Sequence, residues 1–379
     1  MLVDSRRMAR GARGGAGRRP AMDDDLASAI AALVQRRWPG AMLTSLTRLA
    51  GDFSTRSYLR GALAGGGAPA TIVIMVLAGS GLPLSSEELG VFAEPPRELP
   101  FLDVHRLLTA IGAPVPAIYL ADIATGFLLL EDGGDVLLWD RVSAAPAEAE
   151  ALYRRAIDAL LILHTRGTVH PDRTSIAFAQ RFDTRLYLWE LDHFLEYGVE
   201  RRLGVSLGAR TRAAWHTSFD AIAAELAPAE LVLSHRDFHS WNILMRGNAP
   251  LVIDFQDALL APPEYDLASL LTDRITPRLV ASAMEAQLLA YYWAERGERA
   301  DAGRRRRYAL TALHRALKVI GRIHYVAIEK RKQAPLAFLP DVVATVRRLL
   351  TEIPLAGGLA EQFASLPWPE DIVTSTDPS

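Results

Sequence analysis

The feature that most restricts the fold of this chain is a polar eight-residue segment, residues 235–242, that lies between two short apolar runs. These runs, residues 231–234 and 251–254, have the length and composition of buried β-strands. Most of the remaining sequence after residue 133 shows the spacing of amphipathic helices. The polar segment is therefore expected to be a loop held between two strands inside a mainly helical region.

Before residue 133 the pattern changes to short strands separated by glycine-containing turns, with few helices. The predicted strands here are residues 46–49, 57–60, 71–77, 118–120 and 127–131, and the predicted helices are 23–38 and 101–111. The helices predicted further on are 147–165, 187–203, 211–226, 265–273, 277–295, 304–332 and 340–352. The expected fold class is α+β and bilobal. A small N-lobe with an antiparallel sheet would span 22–132, and a larger helical C-lobe 133–379.

Composition removes several classes of function. The 379-residue chain has a net charge of −2 and no cysteine, which argues against a nucleic-acid surface and excludes disulfides and thiolate metal sites. No apolar run is long enough to span a bilayer, so no membrane partner is expected, and the cysteine count is compatible with the cytoplasm. Residues 1–21 are rich in arginine and lack a hydrophobic segment; we interpret them as a disordered basic extension, with a start at Met22 or a transit peptide as alternatives.

The segment 235–242 reads His-Arg-Asp-Phe-His-Ser-Trp-Asn, which matches the H-R-D-x-x-x-x-N loop of phosphoryl-transfer enzymes. In this arrangement Asp237 orients the acceptor hydroxyl and takes its proton. Asn242 and Asp254, at the end of the next strand, supply the oxygen ligands that Mg²⁺ prefers. Taken alone, Asp254 is also compatible with a turn aspartate and Asn242 with a cap; their combined spacing favours catalysis.

The stretch after Asp254 limits the substrate. Only a short gap separates it from Asp266, which leaves no room for the long activation segment that a protein kinase carries. A protein substrate is therefore not expected. Asp266 begins a predicted helix, and it is expected to cap that helix or to brace the backbone of the polar loop.

With these motifs in place, the chain resembles the aminoglycoside-phosphotransferase and choline-kinase superfamily over roughly residues 25–350. Within it the chain is most similar to bacterial anomeric kinases of N-acetylmuramate and N-acetylglucosamine. The stretches that carry the resemblance are residues 51–58, 127–132, 235–242, 252–258, 265–273 and 315–321. The resemblance implies a protein-kinase-like fold with ATP between the lobes, Mg²⁺ as cofactor and a small sugar acceptor against the helical lobe. It also places Glu131 and Asp132 beside the adenine.

The phosphate-binding residues depart from the general kinase plan. Only three lysines occur in the chain, and all of them follow residue 317, so the strand 71–77 has no lysine for the α- and β-phosphates. Arg56, Arg60 or magnesium must replace it. Ser54 and Thr55 belong to a turn that could cover the phosphates with hydroxyl and N–H groups, or that could be a plain hairpin turn.

Three residues are candidates for acceptor binding. Glu190 lies on a helix with a tryptophan and a histidine, an arrangement suited to a sugar but also to a solvated helix face. His239 could contact the substrate or stabilise the loop, and Asp257 could bind a sugar hydroxyl or cap a turn.

The expected function is ATP-dependent phosphorylation of the anomeric hydroxyl of an N-acetyl amino sugar in cell-wall recycling. An aminoglycoside or choline-type acceptor is the first alternative. A non-catalytic nucleotide-binding module is the second, which the missing lysine suggests. The sequence leaves the oligomeric state open.

Overall fold

The computed structural model of the chain describes residues 21–49, 57–77, 96–353 and 358–368. These residues form two compact units. The smaller unit consists of the described residues up to 77 together with Ala117–Asp132, and the larger unit consists of 96–116 and the described residues from Gly133 onward. Within these ranges no helix is long and apolar enough to cross a membrane.

A five-stranded antiparallel sheet forms the smaller unit. Its strands are β1 (Met42–Arg48), β2 (Ser57–Ala64), β3 (Thr71–Val76), β4 (Ile118–Asp122) and β5 (Phe127–Glu131). They pair in the order β1-β2-β3-β5-β4, so β3 is the central strand. Helix α1 (Ala21–Arg37) packs on the sheet at β1 and β4, and its Ile30 and Val34, four residues apart, share a buried apolar cluster with Ile72 and Ile74 of β3. The predicted sheet with its helix is confirmed.

The larger unit is mainly helical. Its helices are α2 (Pro100–Ala110), α3 (Leu138–Ala144), α4 (Ala149–Ile162), α5 (Ile176–Ala179), α6 (Thr184–His193), α7 (Ala209–Leu226), α8 (Pro263–Thr272), α9 (Ser282–Glu295), α10 (Ala302–Ile328), α11 (Leu339–Glu352) and α12 (Leu359–Ala364). The π-helical segments Leu163–Gly167 and Phe194–Arg201 extend α4 and α6, and short 3₁₀ turns occupy Pro146–Glu148, Thr276–Arg278 and Ala334–Phe338. Two small antiparallel pairs interrupt the helices: β6 (Val232–Ser234) with β9 (Leu259–Ala261), and β7 (Ile243–Arg246) with β8 (Ala249–Val252).

The long helix α10 runs through the core of this unit. Asp301 directly precedes it, and its side chain accepts a hydrogen bond from Arg304 N at 2.8 Å and so caps the first turn. Further along, a Cβ at Gly321 would lie 2.8 Å from the Cα of Phe194, so only glycine permits this close crossing of α10 and the extension of α6. The crossing holds the middle of α10, with Arg315 and Lys318, against the centre of the unit, where both side chains are buried.

The prediction that all of 22–132 forms the N-lobe is wrong for α2. Phe101 of this helix stacks on Phe255 with 4.9 Å between ring centroids. Asp103 Oδ2 accepts hydrogen bonds from Ser175 Oγ at 2.8 Å and Ile176 N at 2.7 Å. These contacts join α2 to the larger unit, and the smaller unit is correspondingly a sheet with one helix.

Candidate active site

Residues 235–242 form a tight loop between β6 and β7 that is closed by its own hydrogen bonds. His239 N donates to Asp237 O at 3.0 Å, and Asn242 N donates to His239 O at 2.8 Å. The Asn242 side chain also donates from Nδ2 to Asp237 O at 3.0 Å. Ile253 N then donates to Asn242 O at 3.0 Å. The residue before Asp254 is thus held next to Asn242, and the two predicted metal ligands lie in adjoining segments.

Asp266 braces this loop from α8. Its Oδ2 accepts a hydrogen bond from His235 N at 2.7 Å, and its Oδ1 accepts one from Arg236 N at 2.9 Å. His164 Nε2 lies 3.2 Å from the same Oδ2, and Asp266 is fully buried. A buried carboxylate that accepts from consecutive N–H groups fixes the backbone that leads directly to Asp237. The predicted bracing role of Asp266 is confirmed.

Replacing Asp266 with asparagine should loosen this brace. An amide has one acceptor oxygen, so its NH₂ group would face a backbone N–H in a buried position. We expect the free energy of unfolding to fall by about 1–3 kcal/mol, the cost of an unsatisfied buried group, and kcat to fall with it. Urea unfolding and steady-state kinetics measure the two effects. Asp301→Asn is the matched control, because asparagine still caps a helix; equal behaviour of the two variants would contradict the bracing role.

Backbone strain is concentrated around the loop. Among the described residues four non-glycine residues have a positive φ: Arg236 at +78°, Asp254 at +64°, Arg274 at +46° and Arg331 at +54°. The first precedes Asp237, the second is a predicted metal ligand, and the third follows α8, whose Asp266 braces the loop. Such conformations are costly for side chains with a Cβ and persist where the surrounding structure fixes them, often at functional sites.

Asp237 lies in a strongly positive environment. Its side chain is 38% exposed, and Arg315 Nη2 is 3.5 Å from its Oδ1. Burial acts to raise the pKa of Asp237, but the charges of Lys318, Arg315 and Arg236 outweigh it and hold the pKa well below the usual range. The carboxylate is therefore ionised at any physiological pH and can accept a hydrogen bond from a substrate hydroxyl.

Glu190 occupies the buried centre of this charge cluster. Its side chain is completely buried, with Oε1 3.0 Å from Lys318 Nζ and 3.2 Å from Arg236 Nη2. Tyr265 OH donates to Oε2 at 3.4 Å, and His314 Nε2 lies 3.6 Å from the same oxygen. This burial against cations of the protein itself favours a structural role for Glu190, and the predicted substrate contact stays a prediction.

His239 and Asp257 remain candidates for substrate contact. His239 is buried in the loop, and burial lowers its pKa to about 4, so the ring is neutral at physiological pH. Its Nδ1 has no hydrogen-bond partner within the described residues, which leaves a polar atom for a ligand to satisfy. Asp257 is half-buried three residues after Asp254.

The predicted nucleotide-binding residues of the smaller unit have mixed outcomes. Arg60 donates from Nη2 to Asp132 Oδ1 at 2.9 Å, and its Nε is 2.7 Å from Asp132 Oδ2. This two-point ion pair balances the charge of Arg60, and its predicted role at the phosphates stays a prediction. Glu131 Oε2 accepts a hydrogen bond from Ala117 N at 2.9 Å. The adenine-side role of Glu131 and Asp132 stays a prediction. The residues of the predicted phosphate-covering turn, Ser54, Thr55 and Arg56, lie outside the described residues.

The donor set at Asn242 and Asp254 fits a magnesium ion that is shared with phosphates. Asp254 is exposed, and its Oδ1 accepts a hydrogen bond from Gln256 Nε2 at 2.9 Å. The Asn242 amide nitrogen is held by Asp237 O, which directs the amide oxygen away from that contact. Within the described part of the chain no cluster of three or more His, Asp or Glu could hold a metal by itself. Mg²⁺ is commonly held by one or two protein ligands together with substrate phosphates and water.

A group of aromatic side chains borders the loop, and the sequence analysis did not predict this group. Trp139 of α3 and Trp241 of the loop stack with centroids 4.9 Å apart and planes 16° apart. Phe338 lies 6.2 Å from Trp241, and the Arg274 guanidinium lies 5.3 Å from the Trp241 ring and 5.8 Å from Phe338. We call Trp139, Trp241 and Phe338 the aromatic platform. Its members are about 100 residues apart in sequence, so no local pattern indicates it.

The five-stranded sheet, the braced loop and the strained Asp254 together define a protein-kinase-like phosphotransferase. The profile of the APH family, described as a phosphotransferase enzyme family, matches residues 45–310. The chain belongs to this family. It is therefore a kinase with an alcohol group as acceptor, and the resemblance found in the sequence motifs is confirmed.

Named relatives agree with this result. The chain is 30% identical over 290 residues to an N-acetylmuramate/N-acetylglucosamine kinase of Pseudomonas aeruginosa, which covers 73% of this chain and 80% of that protein. It is 28% identical over 340 residues to a protein of the same name from Pseudomonas putida, covering 87% of this chain and 90% of that one. A choline/ethanolamine kinase family protein from Mesorhizobium loti has a similar fold, with a TM-score of 0.57 and 19% identity over 90% of this chain and 97% of that one.

Proposed function

We propose that this protein transfers the γ-phosphoryl group of ATP to the anomeric hydroxyl of an N-acetyl amino sugar, N-acetylmuramate or N-acetylglucosamine, as a step of cell-wall sugar recycling. The observation that carries the chemistry is the braced loop that presents an ionised Asp237 beside Asn242. The names of the two Pseudomonas relatives support the acceptor.

Asp237 would accept a hydrogen bond from the sugar hydroxyl and take its proton. The hydroxyl oxygen then forms a bond to the γ-phosphorus while the bond to the β-phosphate oxygen breaks, so ADP leaves with the electron pair. Asn242 and Asp254 would hold Mg²⁺, which neutralises phosphate charge as the transfer proceeds. The rigid loop supports catalysis by positioning, since the transition state needs little covalent assistance from the protein.

Charge around Asp237 favours a neutral or anionic acceptor. Arg315 and Lys318 are buried close to it, and Arg274 lies beside the aromatic platform. Glu190 is paired with Lys318 and Arg236, and Asp273 lies 3.5 Å from Arg274 and 4.0 Å from Arg315. A choline or aminoglycoside acceptor would bring further positive charge towards this cluster, and such ligands are recognised by carboxylates or aromatic cages.

A coupled assay of ATP consumption tests the proposal directly. Purified protein is offered N-acetylmuramate, N-acetylglucosamine, choline and an aminoglycoside in parallel, and phosphorus NMR locates the new phosphate. We expect turnover with the two sugars and a phosphate on the anomeric oxygen. Turnover restricted to choline or the aminoglycoside would support the first alternative. Binding of ATP without turnover of any acceptor would support a nucleotide-binding module.

A further inference from the structure

We infer that the aromatic platform is the acceptor subsite and that Arg274 recognises a carboxylate carried by the acceptor sugar. The inference rests on the proposed sugar-kinase function. Arg274 would allow the protein to distinguish an acidic N-acetyl amino sugar from the neutral one.

The platform offers partly exposed aromatic side chains to a ring-shaped ligand. Trp139, Trp241 and Phe338 are each half-buried, and Trp241 belongs to the loop that carries Asp237. The backbone supports this arrangement, because Trp139 N donates to Ser240 O at 3.4 Å and ties α3 to the loop. Half-exposed aromatic side chains at a rigid position provide large contact area with little loss of side-chain entropy.

The platform lies next to the groups that would carry out the reaction. Trp241 directly precedes Asn242, and its ring is 6.0 Å from the ring of His239. His239 N in turn donates to Asp237 O. Besides burial, the charges that act on His239 come from Asp273, Arg274, Asp237 and Arg315, so Arg274 is close to the loop as well as to the platform. A sugar in contact with the exposed part of Trp241 would lie beside the loop that carries Asp237.

Arg274 is placed to bind an anion. It directly follows Asp273 at the end of α8 with a φ of +46°, and its side chain is 28% exposed. Its Nε lies 3.5 Å from Asp273 Oδ2, too far for a strong hydrogen bond, while Asp273 Oδ1 is also 4.0 Å from Arg315. The guanidinium is thus oriented by the Trp241 and Phe338 faces and keeps donors for a ligand. Arginine is well suited to bind a carboxylate through two parallel hydrogen bonds.

The test is a change in sugar preference. N-acetylmuramate bears a carboxylate and N-acetylglucosamine does not, so the ratio of their kcat/KM values isolates the contribution of an anion-binding group. In Arg274→Gln we expect kcat/KM for N-acetylmuramate to fall ~10- to 100-fold more than for N-acetylglucosamine, the range of a hydrogen bond to a charged group. Arg274→Lys keeps the charge but not the planar fork, and it should show a smaller change in the ratio.

A matched control is Arg306→Gln, which removes an exposed arginine of α10 that pairs with Glu225 at 2.6 Å and should leave the ratio unchanged.

Trp139→Leu tests the platform and should raise KM for both sugars with little change in their ratio. An unchanged ratio in Arg274→Gln, with an active native protein, would overturn the inference and leave the proposed function standing. If the native protein phosphorylates neither sugar, the proposed function fails first and the inference fails with it. If Arg274→Gln does not fold, the ratio measured for Arg274→Lys decides.

Discussion

Asp237→Asn is expected to lower kcat by about 10²- to 10⁴-fold, the usual contribution of a positioned acid or base, with little change in the affinity for ATP. Asparagine fills the same volume but cannot take a proton. It also removes the charge that Arg315 faces at 3.5 Å. The backbone oxygen of residue 237, which accepts from His239 N and Asn242 Nδ2, is unchanged, so the loop should keep its shape.

Steady-state kinetics and calorimetric binding of an ATP analogue measure the two halves of this prediction. Asp183→Asn is a matched control, because Asp183 caps α6 through Leu186 N at 3.0 Å and asparagine preserves such a cap. Retained turnover in Asp237→Asn would show that another group is the base. Loss of ATP binding together with turnover would indicate that Asp237 holds the loop rather than acting on the acceptor.

The central part of this site could be predicted because its signals are local. Asp237 and Asn242 are five residues apart in one loop. Asp254 lies two residues after β8, the second strand of the hairpin that follows this loop. The fold class could also be predicted, since alternating strands and amphipathic helices are properties of short windows. The bracing role of Asp266 could be predicted for a similar reason, because a carboxylate at the start of a helix near a tight loop can accept hydrogen bonds from the backbone N–H groups of that loop.

The other features of the fold and the site depend on contacts between residues that are far apart in the sequence, so no short segment predicts them. Lys318 and Arg315, on α10, set the charge around Asp237 although they lie about 80 residues further along the chain. Helix α2 belongs to the larger unit because of Phe255 and Ser175, both far from it in sequence. The same limit explains Glu190: its neighbours Trp189 and His193 gave it the pattern of a sugar contact, whereas the cations that bury it are remote.

The missing phosphate-binding lysine illustrates a third case. Its absence from β3 follows from the positions of the three lysines, and Arg60 lies on the neighbouring strand β2. In the structure Arg60 forms an ion pair with Asp132, which follows β5. This pair offsets the cost of partly burying the arginine charge. Magnesium at Asn242 and Asp254, and the turn that contains Arg56, remain the proposed sources of positive charge for the phosphates.

Glu190→Gln is expected to destabilise the fold by about 3–5 kcal/mol, the range seen when one partner of a buried ion pair is removed. Glu190 is completely buried against Arg236 and Lys318, so the variant leaves two buried cations without their nearest anion. Urea unfolding of native and variant proteins measures the difference. The double variant Glu190→Gln with Lys318→Met removes one anion and one cation, and it should recover part of the loss because the remaining buried charges are closer to balance.

Kinetics of the same variant separate a structural role from a substrate contact. Asp237 would still face Arg315 and Lys318 and would stay ionised, so the folded fraction of Glu190→Gln should retain the native KM for the sugar. A raised KM with an unchanged free energy of unfolding would instead support the substrate contact that the sequence suggested. The two roles differ because a substrate ligand must face the solvent-filled site, whereas Glu190 stabilises the arginine that precedes Asp237. Glu190 pairs with the side chain of Arg236, and Asp266 accepts a hydrogen bond from the backbone N–H of the same residue, so both carboxylates help to position Asp237.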